Sequence, residues 1–70
     1  MTKAHVPYEM HGGPHDGLVE YLPADSKWAV QFYGVRYAVY VHRPGRFVMW
    51  YTGTAASLSA AEEMARHATE

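Results

Sequence analysis

The chain has 70 residues, a formal net charge of −1 and no cysteine. This length predicts one small domain, residues 1–70, that buries only about 60% of the surface its unfolded chain exposes. The lack of cysteine excludes disulfides and thiolate chemistry and fits a reducing compartment. No apolar run approaches the roughly 20 residues of a membrane span, and the N-terminal segment lacks the apolar core of a signal peptide. We therefore expect a cytoplasmic protein with no membrane partner.

Strands are predicted along the first half of the chain. Residues 6–10 form a short strand, and Pro7 within it favours the edge of a sheet. Residues 18–22 alternate in polarity and predict a second strand. Aromatic and β-branched residues over 28–33 predict a third strand, which Gly34 ends or bulges.

A hairpin is the clearest predicted element. Strands at 35–42 and 47–52 flank a Pro-Gly pair at 44–45, which suits a type II turn. Because a type II turn twists poorly with a two-residue hairpin, a longer loop that includes Arg43 and Arg46 is the alternative. With the short loop, one face is expected to be core and carries Tyr37, Val39, Val41, Val48 and Trp50.

A helix is predicted over residues 57–70. Ser57 or Ser59 is the expected N-cap, and Ser59 with Glu62 has capping-box spacing. The apolar face consists of Leu58, Ala61, Met64, Ala65 and Ala68. This helix must dock, because three turns alone are marginal in water. The predicted fold is α+β: an antiparallel β-sheet of three to five strands with one C-terminal helix packed on one face.

The stretch GGPHDG, residues 12–17, is interpreted as a turn between two strands. Proline suits its second position, and Gly17 suits a left-handed conformation. His11, His15 and Asp16, with His5, are the alternative as ligands of a zinc site. A phosphate cradle is disfavoured, since a strand rather than a helix follows the glycines. No nucleophile and base form a catalytic set, so we predict no enzyme, no metal and no cofactor.

The same stretch carries a resemblance. "GGPHDG" followed by "LVEYLP" resembles small actinobacteriophage accessory proteins that open with a strand, a GGPxDG turn and an apolar strand ending in proline. The resemblance covers about the first third of the chain and, loosely, its helical end. It implies a phage accessory protein in the host bacterial cytoplasm and carries over no catalytic residue.

The basic charge and most of the aromatic residues share one block. Residues 27–51 contain four of the six Lys and Arg residues, no Asp or Glu, and eight of the ten aromatic residues. Because one helix covers one face of a sheet, we expect an exposed aromatic face on the other side. Its residues are Arg36, Tyr40, His42, Phe47, Met49 and Tyr51.

This face predicts a non-enzymatic protein that binds a host protein, a second copy of itself, or both. Aromatic residues, methionine and arginine are the types enriched at protein interfaces. The alternative is binding of single-stranded nucleic acid by block 27–51, with bases stacked on aromatic rings and phosphates paired with arginine. We place nucleic acid second, since four positive charges are few and the rest of the chain is net acidic.

Overall fold

The computed structural model describes residues 4–69, which form five strands and one helix. The strands are β1 (His5–His11), β2 (Val19–Pro23), β3 (Trp28–Tyr33), β4 (Arg36–His42) and β5 (Val48–Ala55), and the helix is α1 (Leu58–Thr69). The strands make one sheet in the order β2-β1-β5-β4-β3. The α+β class with a C-terminal helix on the sheet is therefore as predicted. Within the described residues, no helix is long and apolar enough to cross a membrane.

The sheet is mixed, which corrects the prediction of a purely antiparallel sheet. Strands β1 and β2 form one antiparallel hairpin, and β3, β4 and β5 form an antiparallel meander. A parallel pairing of β1 with β5, from Glu9 opposite Val48 to His11 opposite Trp50, joins the two units. Hairpins follow from turn residues between neighbouring strands, whereas no local turn encodes the contact between the first and last strands.

Pro7 lies in an inner strand, so its expected place at a sheet edge is wrong. The pairing of β1 with β5 begins only at Glu9, whose N–H donates to the Phe47 carbonyl at 3.1 Å. Pro7 precedes that pairing, and its neighbours in the chain make the hydrogen bonds to β2. The N–H that proline lacks is therefore not needed by the sheet.

Two hairpin turns set the register of the meander. Gly34, with φ of +61°, takes the first of two turn positions between Tyr33 and Arg36, which suits a tight hairpin. The β4–β5 connection is the longer loop, because His42 pairs with Met49. From Tyr40 to His42 this register is shifted by two residues from the short-loop alternative, so the side chains of residues 47–51 keep their predicted side of the sheet. A bulge shifts the pairing by one further residue between Tyr40 and Val39.

Helix α1 packs on one face of the sheet, over β4, β3 and β5. We call this face the outer face and the opposite one the inner face. Ser57 is the N-cap, since its Oγ accepts the Ala60 N–H at 3.2 Å. Ala61 and Ala65 are fully buried, with Val39 and Ala55 beneath them. Leu58 and Ala68, predicted on the apolar face, are exposed instead. Glu70, the last residue of the predicted helix, lies outside the described residues.

The inner face of the sheet closes on itself. A buried cluster draws side chains from four strands: Tyr8, Met10, Ala29, Ala38, Tyr40 and Met49. Because the sheet is curled, the hairpin of β1 and β2 folds over the inner face of β4 and β5. Tyr8 makes edge contacts with both His42 and Phe47, with ring centroids 5.4 Å apart in each case. Curling thus gives the small chain a second core without a second helix.

Candidate protein-interaction surface

The predicted binding face is only partly exposed. Tyr40 and Met49 have no exposed surface, so their assignment to an exposed face is wrong. His42 is half-buried, with its Nε2 donating to the Arg46 carbonyl at 2.7 Å. The other three members are exposed: Arg36, Phe47 and Tyr51. Strand alternation placed all six on one side correctly, but it could not show that the curled sheet buries the middle of that side.

The Tyr40 hydroxyl holds the GGPHDG stretch over one end of the inner core. It donates to the Gly12 carbonyl at 2.8 Å and accepts the His15 N–H at 2.9 Å. The stretch forms a short 3₁₀ turn over Gly13–His15, and the ring of Tyr51 lies against Gly13. The interpretation of this stretch as a turn is confirmed, and its conformation is fixed by contacts from the distant strands β4 and β5.

Burial raises the pKa of Tyr40 above its ordinary value of 10.0, and the nearby Tyr51 and Asp16 act in the same direction. The hydrogen bond from the His15 backbone opposes this rise. The folded protein therefore keeps the proton of Tyr40 at a pH where the unfolded chain loses it. Since the unfolded state then binds fewer protons, folding stability falls as pH rises above about 10.

We expect the free energy of unfolding to fall less steeply between about pH 10 and pH 11 in Tyr40→Phe than in the wild-type chain. The substitution removes the group whose ionisation is suppressed by folding. Urea unfolding at several pH values measures the two slopes. Equal slopes would show that Tyr40 does not contribute to alkaline destabilisation.

Most of the polar side chains proposed as zinc ligands have other partners, but the buried Nε2 of His15 makes no hydrogen bond within residues 4–69. His11 Nε2 pairs with Glu9, and Asp16 Oδ1 accepts the Gly12 N–H at 2.7 Å. His15 packs edge-on against Tyr33 and Tyr40. Among residues 4–69, no three His, Asp or Glu side chains are placed to hold a metal ion. The structure therefore gives no support to the zinc alternative.

One exposed apolar surface lies on the outer face of the sheet, beside the helix. We call it the outer patch and define it by its apolar members Val19, Tyr21, Val48 and Trp50. Strand pairing places them on one side of the neighbouring strands β2, β1 and β5. Tyr21 is 67% exposed and Trp50 is 43% exposed. Helix α1 contacts β3, β4 and β5 and covers Ala55 at the C-terminal end of β5, whereas Val19, Tyr21 and Trp50 stay exposed.

Strand β1 supplies the polar groups at the centre of the outer patch. The ring of His11 contacts Trp50 edge-on, with centroids 5.0 Å apart, while its Nε2 binds the Glu9 carboxylate. Glu9 pairs across the sheet with both Val19 and Val48. The patch therefore combines two aromatic rings with one carboxylate–imidazole pair, so that it offers apolar area and a directional polar contact.

Trp50 is exposed, so its predicted place in the core is wrong. Val39 and Val41, on the same face of β4, are buried as predicted, because α1 covers their side of the sheet. Alternation predicted the correct side of the sheet for Trp50, but it could not show that the helix leaves Trp50 uncovered. The alternation of β2, which places Val19 and Tyr21 on one side, is the sequence signal from which this patch could have been predicted.

An open cavity of about 470 Å³ lies between the C-terminal end of α1 and the β4–β5 loop. Its lining among the described residues is Lys27, Val41, His42, Arg43, Pro44, Ala68 and Thr69. The Thr69 hydroxyl donates to the helix carbonyls of Ala65 and Arg66. The lining contains two cations but neither a carboxylate nor a free nucleophile, so the outer patch is the stronger candidate site.

Comparison with protein-family models, with curated proteins and with solved structures gives no match for this chain. The geometry of the outer patch is therefore the basis on which a function can be assigned.

Proposed function

We propose that this protein is a non-enzymatic binding module that docks another protein on the outer patch. The observation that carries the proposal is the exposure of Trp50 and Tyr21 on a sheet face that α1 leaves uncovered. Tryptophan and tyrosine are the residues that most often dominate binding energy at protein interfaces. Large apolar side chains exposed together on one face of a small domain are typical of an interaction site.

The side chains of the outer patch indicate which side chains its partner would present. Trp50 and Tyr21 favour an apolar or aromatic side chain, since large rings gain most from excluding water. The Glu9 carboxylate between the rings favours a lysine or arginine beside that side chain. The resemblance to phage accessory proteins makes a protein of the infected bacterium the first candidate for this partner.

The alternative, binding of single-stranded nucleic acid by block 27–51, has weaker support. Tyr40 has no exposed ring surface on which a base could stack. Phe47 and Tyr51 remain exposed, but the inner core separates them. Tyr8 packs against Phe47, and Tyr40 packs against Tyr51. The experiment below distinguishes the two functions through its salt and nuclease conditions.

We expect Trp50→Glu to weaken partner binding by at least about 30-fold, which is the effect of losing an interface hot spot. The tagged protein is used to capture partners from a lysate of the host bacterium, with and without nuclease, and the affinity of the captured protein is then measured with purified components. Tyr21→Glu should weaken the same interaction, since Tyr21 lies on the same face of the sheet. It is opposite Pro7 of β1, four residues along that strand from His11, which pairs with Trp50.

Leu58→Glu is the matched control, because Leu58 is 49% exposed at the start of α1 and does not belong to the outer patch. It should bind like the wild-type chain, and circular dichroism checks that every variant is folded. Equal binding by Trp50→Glu and the wild-type chain would contradict the proposal. Capture that requires nucleic acid and falls steeply with salt would favour the alternative instead.

A further inference from the structure

Strand β3 is a free edge of the sheet, and its sequence has none of the usual protection against pairing. Its six residues, WAVQFY, contain no charge and no proline. The opposite edge, β2, contains Glu20 and ends in Pro23. Charges and proline are the devices by which edge strands avoid adding another strand. The two edges of the sheet therefore differ, and β3 is the one open to pairing.

The hydrogen-bond pattern shows which groups β3 presents at its free edge. The His42 N–H donates to the Lys27 carbonyl at 2.9 Å, which makes these two residues a hydrogen-bonded pair of the β3–β4 ladder. Alternation then directs the N–H and C=O groups of Trp28, Val30 and Phe32 away from β4. Within residues 4–69, no turn, loop or side-chain hydrogen bond reaches these three residues.

The occupant that fits this edge is a second copy of the same strand. When two β3 strands run antiparallel with Val30 opposite Val30, their outward groups match in six hydrogen bonds. Trp28 then lies opposite Phe32 of the second copy, on the same side of the sheet. Ala29 lies opposite Gln31. The register therefore pairs aromatic residues with each other and places no two charged residues opposite each other.

Charge supports this choice of occupant. Within the segment that would pair, residues 27–33, the one charged residue is Lys27, which lies opposite the uncharged Tyr33 of the second copy in this register. The equivalent pairing of two β2 strands, centred on the outward Tyr21, would place Pro23 opposite Val19, and each Pro23 lacks the N–H that this pairing needs. The exposed side chain of Phe32, 63% accessible, would be covered in the β3 pairing.

We propose that the protein forms a symmetric dimer in which two β3 strands pair antiparallel about Val30, giving one continuous ten-stranded sheet. This surface is separate from the outer patch and does not depend on the proposed function. The two-fold symmetry closes the assembly at two chains, since each copy uses the same edge. The second free edge, β2, stays outside the interface.

Sedimentation equilibrium over a concentration series tests the dimer with two matched variants. Phe32→Pro removes one outward N–H and one aromatic ring from β3, and Tyr21→Pro makes the same change at an outward position of β2. We expect a wild-type mass of twice 7.9 kDa. Phe32→Pro should raise the dissociation constant by at least about tenfold, whereas Tyr21→Pro should leave it unchanged.

Amide hydrogen exchange of the wild-type chain gives a second measurement that does not depend on any variant. The amides of Trp28, Val30 and Phe32 should exchange more slowly as protein concentration rises, while those of Val19 and Tyr21 stay fast. A monomer at all concentrations would overturn the proposal. Dissociation by Tyr21→Pro with no effect of Phe32→Pro would also overturn it, because association would then use β2.

Discussion

Tyr40→Phe is expected to lower the free energy of unfolding by about 2–4 kcal/mol. The ring remains, so no cavity forms, but the Gly12 carbonyl and the His15 N–H lose their shared hydroxyl partner. Each of these main-chain groups would then be under-satisfied beside a buried core. In a domain of this size such a loss is a large fraction of total stability. Urea unfolding followed by tryptophan fluorescence measures it.

Tyr21→Phe is the control for this prediction, because Tyr21 is 67% exposed and its hydroxyl has water available. It should change stability by less than about 0.5 kcal/mol. A cost for Tyr40→Phe as small as that of Tyr21→Phe would mean that the first turn is not held by the Tyr40 hydroxyl. Loss of the characteristic chemical shift of the His15 amide in Tyr40→Phe provides an independent check.

Gly13→Ala is expected to destabilise the protein by about 2–3 kcal/mol. Gly13 has a φ of +66°, which is unfavourable for alanine. A Cβ atom there would also lie 2.6 Å from Cγ of Tyr51, so the ring would have to leave its place over the turn. That movement would break the contact between Tyr51 and Tyr40, whose ring centroids are 5.5 Å apart. Thermal and urea unfolding give the cost.

Gly34→Ala separates the two causes, because Gly34 has a similar φ of +61° but open space where its Cβ would lie. We expect this variant to cost only about 1 kcal/mol, the conformational part alone. The double variant Gly13→Ala with Tyr51→Ala should recover part of the cost of the clash. Equal costs for Gly13→Ala and Gly34→Ala would refute the close packing of Tyr51 on the turn.

Strand alternation predicts on which side of the sheet each strand residue lies, but the predicted binding face shares no residue with the outer patch. Alternation placed Trp50 and Tyr40 on opposite sides of the sheet, as the structure has them. It did not show that α1 stops short of Trp50, nor that the curled hairpin of β1 and β2 covers Tyr40. Burial at both positions depends on elements distant in sequence, and a local pattern carries no information about them.

The sequence by itself determined the α+β class, the C-terminal helix with its serine cap, the strands in chain order and the turn at GGPHDG. These features depend on residues close together in the chain, where side-chain period and turn preference act directly. Only the tertiary structure decided the parallel contact of β1 with β5, the curl that buries Tyr40 and Met49, and the exposure of Trp50. Those features arise from packing between elements that are far apart in the sequence. Which faces become buried depends on how these elements fit together, and a local sequence pattern does not show this.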